Sequence, residues 1–183
     1  MFVGHAGLAF LAAGRRSGPP LAVLLLAAYG PDWLKLPAYV AFWDHERVAF
    51  VTHSIVAVLL AGALAGGAWW MFTRERSHAL LVALAWWSHW PADFATALKP
   101  TWPGGPSVGL QLYAHPAADL LIETIVLLVG WAALVRRRRP ARTATILAPA
   151  ALFLVQLAFV NQDQFPVGSW RAGVKGIIVA LRR

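Results

Sequence analysis

Five residues in this chain have the types and spacing of a divalent-metal site. His89 and Asp93, in the stretch Ser88-His-Trp-Pro-Ala-Asp93, are four positions apart. On a helix they share one face, a turn from each other, and an imidazole and a carboxylate so placed can bind the same cation. His5, Asp32 and His53 offer donors of the same kinds, each in or at the end of an apolar run. Ionisable groups in such runs are costly and face sites rather than lipid. Nitrogen and oxygen donors without thiolates suit Zn2+, with Mn2+ or Fe2+ as the alternatives. Five donors exceed the needs of one four-coordinate zinc, so one or two ions are expected, two of them sharing Asp93. Asp32 and Asp93 are also the candidate catalytic carboxylates. An ion of this kind lowers the pKa of its water to about 7 and polarises a carbonyl or phosphoryl oxygen. Thr52 and Ser54 flank His53 and are expected to support it through hydrogen bonds. His115, Asp119 and Glu123 form a second ladder at i, i+4 and i+8. It reads as a further metal pocket on His115 and Asp119 with Glu123 behind them, or as a helix start capped by Asp119.

These donors need a scaffold, and the composition says which. Of 183 residues, 59% are apolar and only 13% charged. That fits one domain, all-α: a polytopic transmembrane helical bundle of about five to six membrane helices. The apolar runs are continuous rather than alternating, which excludes a β-barrel. The expected runs are 2–13, 21–29, 49–72, 79–98, 116–135 and 146–160, with 166–183 a short last span or an interfacial helix. Residues 35–47 read as an interfacial connection in which His45 is solvated beside Asp44 and Glu46. The net charge of +8 does not point to nucleic acid, because the arginines fall in turns between apolar runs. Arg15, Arg16, Arg74, Arg76, Arg136 to Arg139 and Arg142 come out on one side, which the positive-inside rule makes cytoplasmic. The N-terminus is then outside, with the His and Asp set near the external ends of its helices. His78 lies at the cytoplasmic end and reads as structural. Tryptophans 33, 43, 90 and 102, and 69, 70 and 131, read as two interfacial belts, with Trp86 and Trp87 in the packing between. The chain has no cysteine, so disulfides and thiolate sites are excluded, and its start lacks the basic region and cleavage site of a signal peptide. The loop Pro103-Gly-Gly-Pro106 is a candidate lid.

Gly4-His5, Asp32, Thr52-His53-Ser54, Ser88-His89-x-x-x-Asp93, the Pro103-to-Tyr113 stretch and Glu123 together resemble the YdjM-like membrane-bound metal-dependent hydrolases of the bacterial inner membrane. The resemblance covers most of residues 1–135. The order His, Asp, His, His-x-x-x-Asp and a later His-x-x-x-acid is also similar to zinc-dependent phospholipase C and P1 nuclease. Residues 95–98, Ala-Thr-Ala-Leu, lack the further His of those enzymes, which leaves one or two ions rather than three. The resemblance implies a multi-pass protein of the bacterial plasma membrane with a helical phosphodiesterase-like site.

The expected function is a membrane-embedded metal-dependent hydrolase acting on a phospholipid or lipid-linked ester at the external leaflet. Membrane lipid is then both solvent and possible substrate, and a homo-oligomer or a membrane partner subunit is possible. The alternative is a non-enzymatic membrane protein, either a subunit of a larger complex or a metal carrier. A carrier needs polar groups through the full membrane depth, and residues 56–70 and 79–85 have none. Haem ligation by two histidines is opposed by the carboxylates beside them.

Overall fold

The computed structural model describes residues 3–15, 17–42, 45–102, 105–138 and 142–160. Its helices are α1 (Gly4–Ala13), α2 (Leu21–Ala28), α3 (Gly30–Phe42), α4 (His45–His53), α5 (Ile55–Thr73), α6 (Arg76–Trp87), α7 (His89–Thr96), α8 (Pro116–Arg138) and α9 (Arg142–Val160). Between α7 and α8 lie a small antiparallel pair, β1 (Lys99–Pro100) with β2 (Ser107–Val108), and a 3-10 turn at Leu112–Ala114. The protein is all-α in its architecture, as its composition implies.

Two helices are long and apolar enough to cross a membrane, α5 and the Pro116–Arg137 stretch of α8. Each turns most of its surface away from the core. Leu64 is 74% exposed, Phe72 87% and Leu121 61%, an apolar surface of the kind hydrocarbon covers. Two of the expected runs are divided. The run at 49–72 breaks at Ser54, which leaves the helical region and caps α5 by accepting from the Ala57 amide. The run at 79–98 breaks at Ser88. Pro91 has no amide hydrogen to continue the α6 ladder, and the Ser88 hydroxyl instead donates to the Ala85 carbonyl at 2.7 Å. The pieces, 12 residues in α6 and 8 in α7, each fall short of the roughly 20 that a straight span needs. The expectation of five to six spans is therefore not met helix by helix. In α9 the apolar stretch is shorter, Ile146–Ala158, and Pro149 lies within it. Arg16, Trp43, Asp44, Pro103, Gly104, Arg139 and the last segment, 166–183, lie outside the described residues.

Small residues set the two closest crossings. A Cβ on Gly7 would lie 2.5 Å from the Val126 carbonyl, and one on Gly14 3.0 Å from Ala133, so α1 and α8 run parallel with backbones nearly touching. Along α5 and α6 the order reverses. A Cβ on Gly66 would lie 2.8 Å from the Ala79 carbonyl, and the Trp87 indole donates to the Leu59 carbonyl at 3.0 Å. Val3, Phe10, Leu24, Leu81, Val82, Leu127 and Leu134 form the core among these helices. Helices α1, α5 and α8 all start at the end where the His and Asp residues lie and run towards arginines: Arg15, Arg74, and Arg136 with Arg137.

Candidate metal centre

The two interrupted helices deliver the donors. The Ser54 break leaves His53 as the last residue of α4, and the Ser88 break makes His89 the first of α7, with Asp93 one turn on. His5 is in the first turn of α1 and Asp32 in the first turn of α3. A Cβ on Gly30 would run into the Trp86 ring, so the tight entry to α3 that carries Asp32 to the site depends on glycine.

All five converge. Asp93 Oδ1 lies 3.2 Å from His5 Nε2, and Asp93 Oδ2 lies 3.3 Å from His89 Nε2 and 3.8 Å from His53 Nε2. Asp32 Oδ1 lies 3.3 Å from His53 Nε2, and Asp32 Oδ2 4.0 Å from His89 Nε2. Two sets, His5 with His89 and Asp93, and Asp32 with His53 and His89, each hold donor atoms within 4.8 Å of one another and could hold an ion. Bonds of 2.0–2.1 Å in a tetrahedron put neighbouring donors about 3.3–3.4 Å apart, close to the shorter spacings found. The His5 and His89 rings stack at 4.0 Å, and the His53 ring stands edge-on to His89 at 5.0 Å.

The surrounding hydrogen bonds decide which nitrogen each ring presents. His89 Nδ1 faces the Ala28 carbonyl at 2.9 Å. A carbonyl only accepts, so Nδ1 carries the hydrogen. The Thr52 hydroxyl donates to the Val48 carbonyl at 2.7 Å and lies 2.6 Å from His53 Nδ1. Its hydrogen is spent, so His53 Nδ1–H donates to it. With the hydrogen on Nδ1, each ring presents Nε2 to a carboxylate oxygen, as a lone pair whenever the ring is neutral. Two acceptors at that range repel unless positive charge lies between them. His89 Nε2 is buried without a hydrogen-bond partner, an orphan that a cation would satisfy.

The electrostatics agree with that ligand state. Burial raises the Asp32 carboxyl, but the Lys35 ammonium bonded to it counters that, and the carboxyl sits well below the usual carboxylate range. Burial pushes the His53 imidazole down to about 4, against the pull of Asp32. Ionised carboxylate and neutral imidazole are the forms that bind metal. The histidine side is closed, with His5 and His89 side chains fully buried, while the Asp32 side chain is 32% exposed and marks the open edge.

Of the expected supporting residues, Thr52 bonds His53, whereas Ser54 serves the start of α5. The second ladder does not assemble as a pocket. His115 is exposed and precedes α8, at the end of the 3-10 turn with φ −125° and ψ 76°, so the helical spacing does not reach it. Asp119 and Glu123 are buried, in contact with each other and with partners other than His115. Glu123 Oε2 accepts from the Gly4 amide at 2.8 Å, which caps the start of α1 beside His5. Asp119 Oδ2 accepts from Gln156 of α9 at 3.2 Å. His45's side chain lies outside the described residues.

Two lysines complete the site without having been anticipated. Lys35 Nζ lies 2.6 Å from Asp32 Oδ1, a pairing that its i+3 position after Asp32 could have signalled. Lys99 contacts Asp93 Oδ2 from the β1–β2 pair, whose fold no helical pattern reveals. That pair is anchored by Thr101, whose carbonyl accepts the Ile55 amide at 3.1 Å. Comparison with protein-family models, curated proteins and solved structures finds no match to this chain.

Proposed function

We propose that this protein is a membrane-embedded, metal-dependent hydrolase of a phospholipid or lipid-linked ester. The observation that carries the reading is the convergence of Asp32, Asp93 and the Nε2 atoms of His5, His53 and His89, with two lone pairs aimed at carboxylates. The five side chains would hold Zn2+, or Mn2+ or Fe2+, as one or two ions. Such an ion supplies a water of lowered pKa and polarises the oxygen of the bond to be cleaved. The chain's own groups do the rest. Ala28 and Thr52 keep His89 and His53 in the tautomer that presents Nε2. Asp93 links the two ligand sets through its two oxygens. Asp32, at the open edge, would be both a ligand and the carboxylate that meets an incoming substrate first.

The membrane reading rests on α5 and α8 and on their outward apolar side chains. In a multi-pass arrangement in the bacterial plasma membrane, the basic ends face the cytoplasm and the N-terminus and the site face out. A lipid headgroup would then reach Asp32 from the side, and the same apolar faces would take a second copy or a partner subunit.

The test is turnover of phospholipid and lipid-phosphate substrates by detergent-solubilised protein, with and without chelator. Activity that chelator removes, Zn2+ or Mn2+ restores, and Asp93→Asn lacks is the expected result. Bound metal without turnover of any such substrate would overturn the hydrolase reading in favour of a non-enzymatic metal-binding subunit.

A further inference from the structure

We propose that the site takes an anionic phosphoryl group, gripped by Lys35 and Lys99 after a divalent cation has displaced them from Asp32 and Asp93. This inference rests on the metal reading above and narrows it to one substrate class.

Each ammonium bonds the very oxygen that faces an imidazole. Lys35 holds Asp32 Oδ1, which lies 3.3 Å from His53 Nε2. Lys99 holds Asp93 Oδ2, which lies 3.3 Å from His89 Nε2 and 3.8 Å from His53 Nε2. An ion ligated by those imidazoles and carboxylates competes with both ammoniums for the same oxygens. The flexible four-carbon stem of lysine lets a displaced ammonium move without unfolding its element.

Charge then decides what enters. Two carboxylates and two ammoniums sum to zero before any imidazole is counted. A divalent cation raises the sum to +2, and unbalanced charge in a largely buried pocket is costly. Glu123 and Asp119 stand outside the donor set, on the Gly4 amide and Gln156. A phosphate diester or monoester brings one or two negative charges and several strong acceptor oxygens, whereas a carboxylic ester brings no charge. The lysines also stand where a ligand would arrive. Their side chains are 39% and 16% exposed, whereas the three imidazoles are sealed.

The test uses full-length protein in detergent, loaded with Zn2+, desalted, and analysed for metal before inorganic phosphate is titrated by calorimetry. Phosphate should bind the loaded protein and not the chelator-treated one. Lys35→Met and Lys99→Met should keep their metal, or hold it more tightly, and each should lose at least about tenfold in phosphate affinity. Lys35 is exposed enough for its variant to fold even if the Lys99 variant does not. Variants that bind phosphate as the wild type does, or metal-free protein that binds it equally well, would overturn the inference. Wild type that holds metal but no phosphate overturns it alone, while wild type that holds no metal overturns the metal reading with it. Dioctanoyl phosphatidic acid identifies the source: tighter binding than inorganic phosphate marks a lipid headgroup, and equal or weaker binding marks free phosphate. Equal binding of dioctanoylglycerol, which has no phosphoryl group, would overturn the inference.

Discussion

Thr52→Val isolates the tautomer argument. Valine keeps the shape of threonine but removes the oxygen that His53 Nδ1–H meets, now at 2.6 Å. The Val48 carbonyl, which receives the hydroxyl hydrogen, loses little, because it is the i−4 carbonyl of the same helix. His53 is then free to carry its hydrogen on Nε2, where it blocks ligation. Loss of such an orienting partner costs 10–100-fold in metal affinity as an order of magnitude, about 1.4–2.7 kcal/mol. At an ion concentration of about 100 times the wild-type Kd, binding stabilises the wild type by about 2.7 kcal/mol. The variant retains about 0.4–1.4 kcal/mol under the same conditions. For a chain of this size each kcal/mol is worth about 2–4 °C. The zinc-induced rise in Tm should therefore fall from about 5–11 °C to about 1–6 °C, with metal-free samples as the baseline for each protein. Thr52→Ser, which keeps the oxygen, should retain most of the wild-type rise. A Thr52→Val protein with an undiminished rise would refute the assignment of Nε2 as the ligand atom.

Other substitutions probe the remaining parts. Asp93→Asn removes the charge shared by the two ligand sets and should abolish the zinc-induced Tm rise altogether, whereas His115→Ala, at an exposed position, should leave metal content unchanged by elemental analysis. Gly7→Val drives a side chain into the Val126 carbonyl; overpacking of this kind costs about 1–3 kcal/mol and should lower both the Tm and, through His5, metal retention. For acid, His53 is held at about 4 against an ordinary 6.5, so between those values the unfolded chain binds a proton that the folded chain refuses. Metal-free protein should lose stability as the pH falls through that window, by up to about 1.4 kcal/mol per unit from this residue, and His53→Gln should flatten the slope in thermal melts.

Much of the site was readable from residue types and spacing, because ionisable groups in apolar runs are few and each has to face something other than lipid. His89 and Asp93 also lie one helical turn apart, so one element sets both. The breaks at Ser54 and Ser88 were harder to see. The runs around them are apolar throughout, and hydropathy counts apolar length without asking whether Pro91 or a serine cap interrupts the backbone ladder. His115 misled for the opposite reason. Its spacing to Asp119 is helical, but Pro116 opens the helix, so the shared-face rule starts one residue too late. Asp119 and Glu123 keep their helical spacing, but their partners Gln156 and the Gly4 amide are distant in sequence. Lys99 reaches Asp93 only because the β1–β2 pair folds back, and two-residue strands carry no periodicity that could announce it.

The central claim is that a cation gathers these side chains. Metal content per chain tests it most directly, measured on detergent-solubilised protein after zinc loading and desalting, beside Asp93→Asn and His89→Ala. The wild-type chain should carry at least one zinc, and both variants should show a clear loss. A metal-free wild type, or variants that keep as much zinc as the wild type, would contradict it.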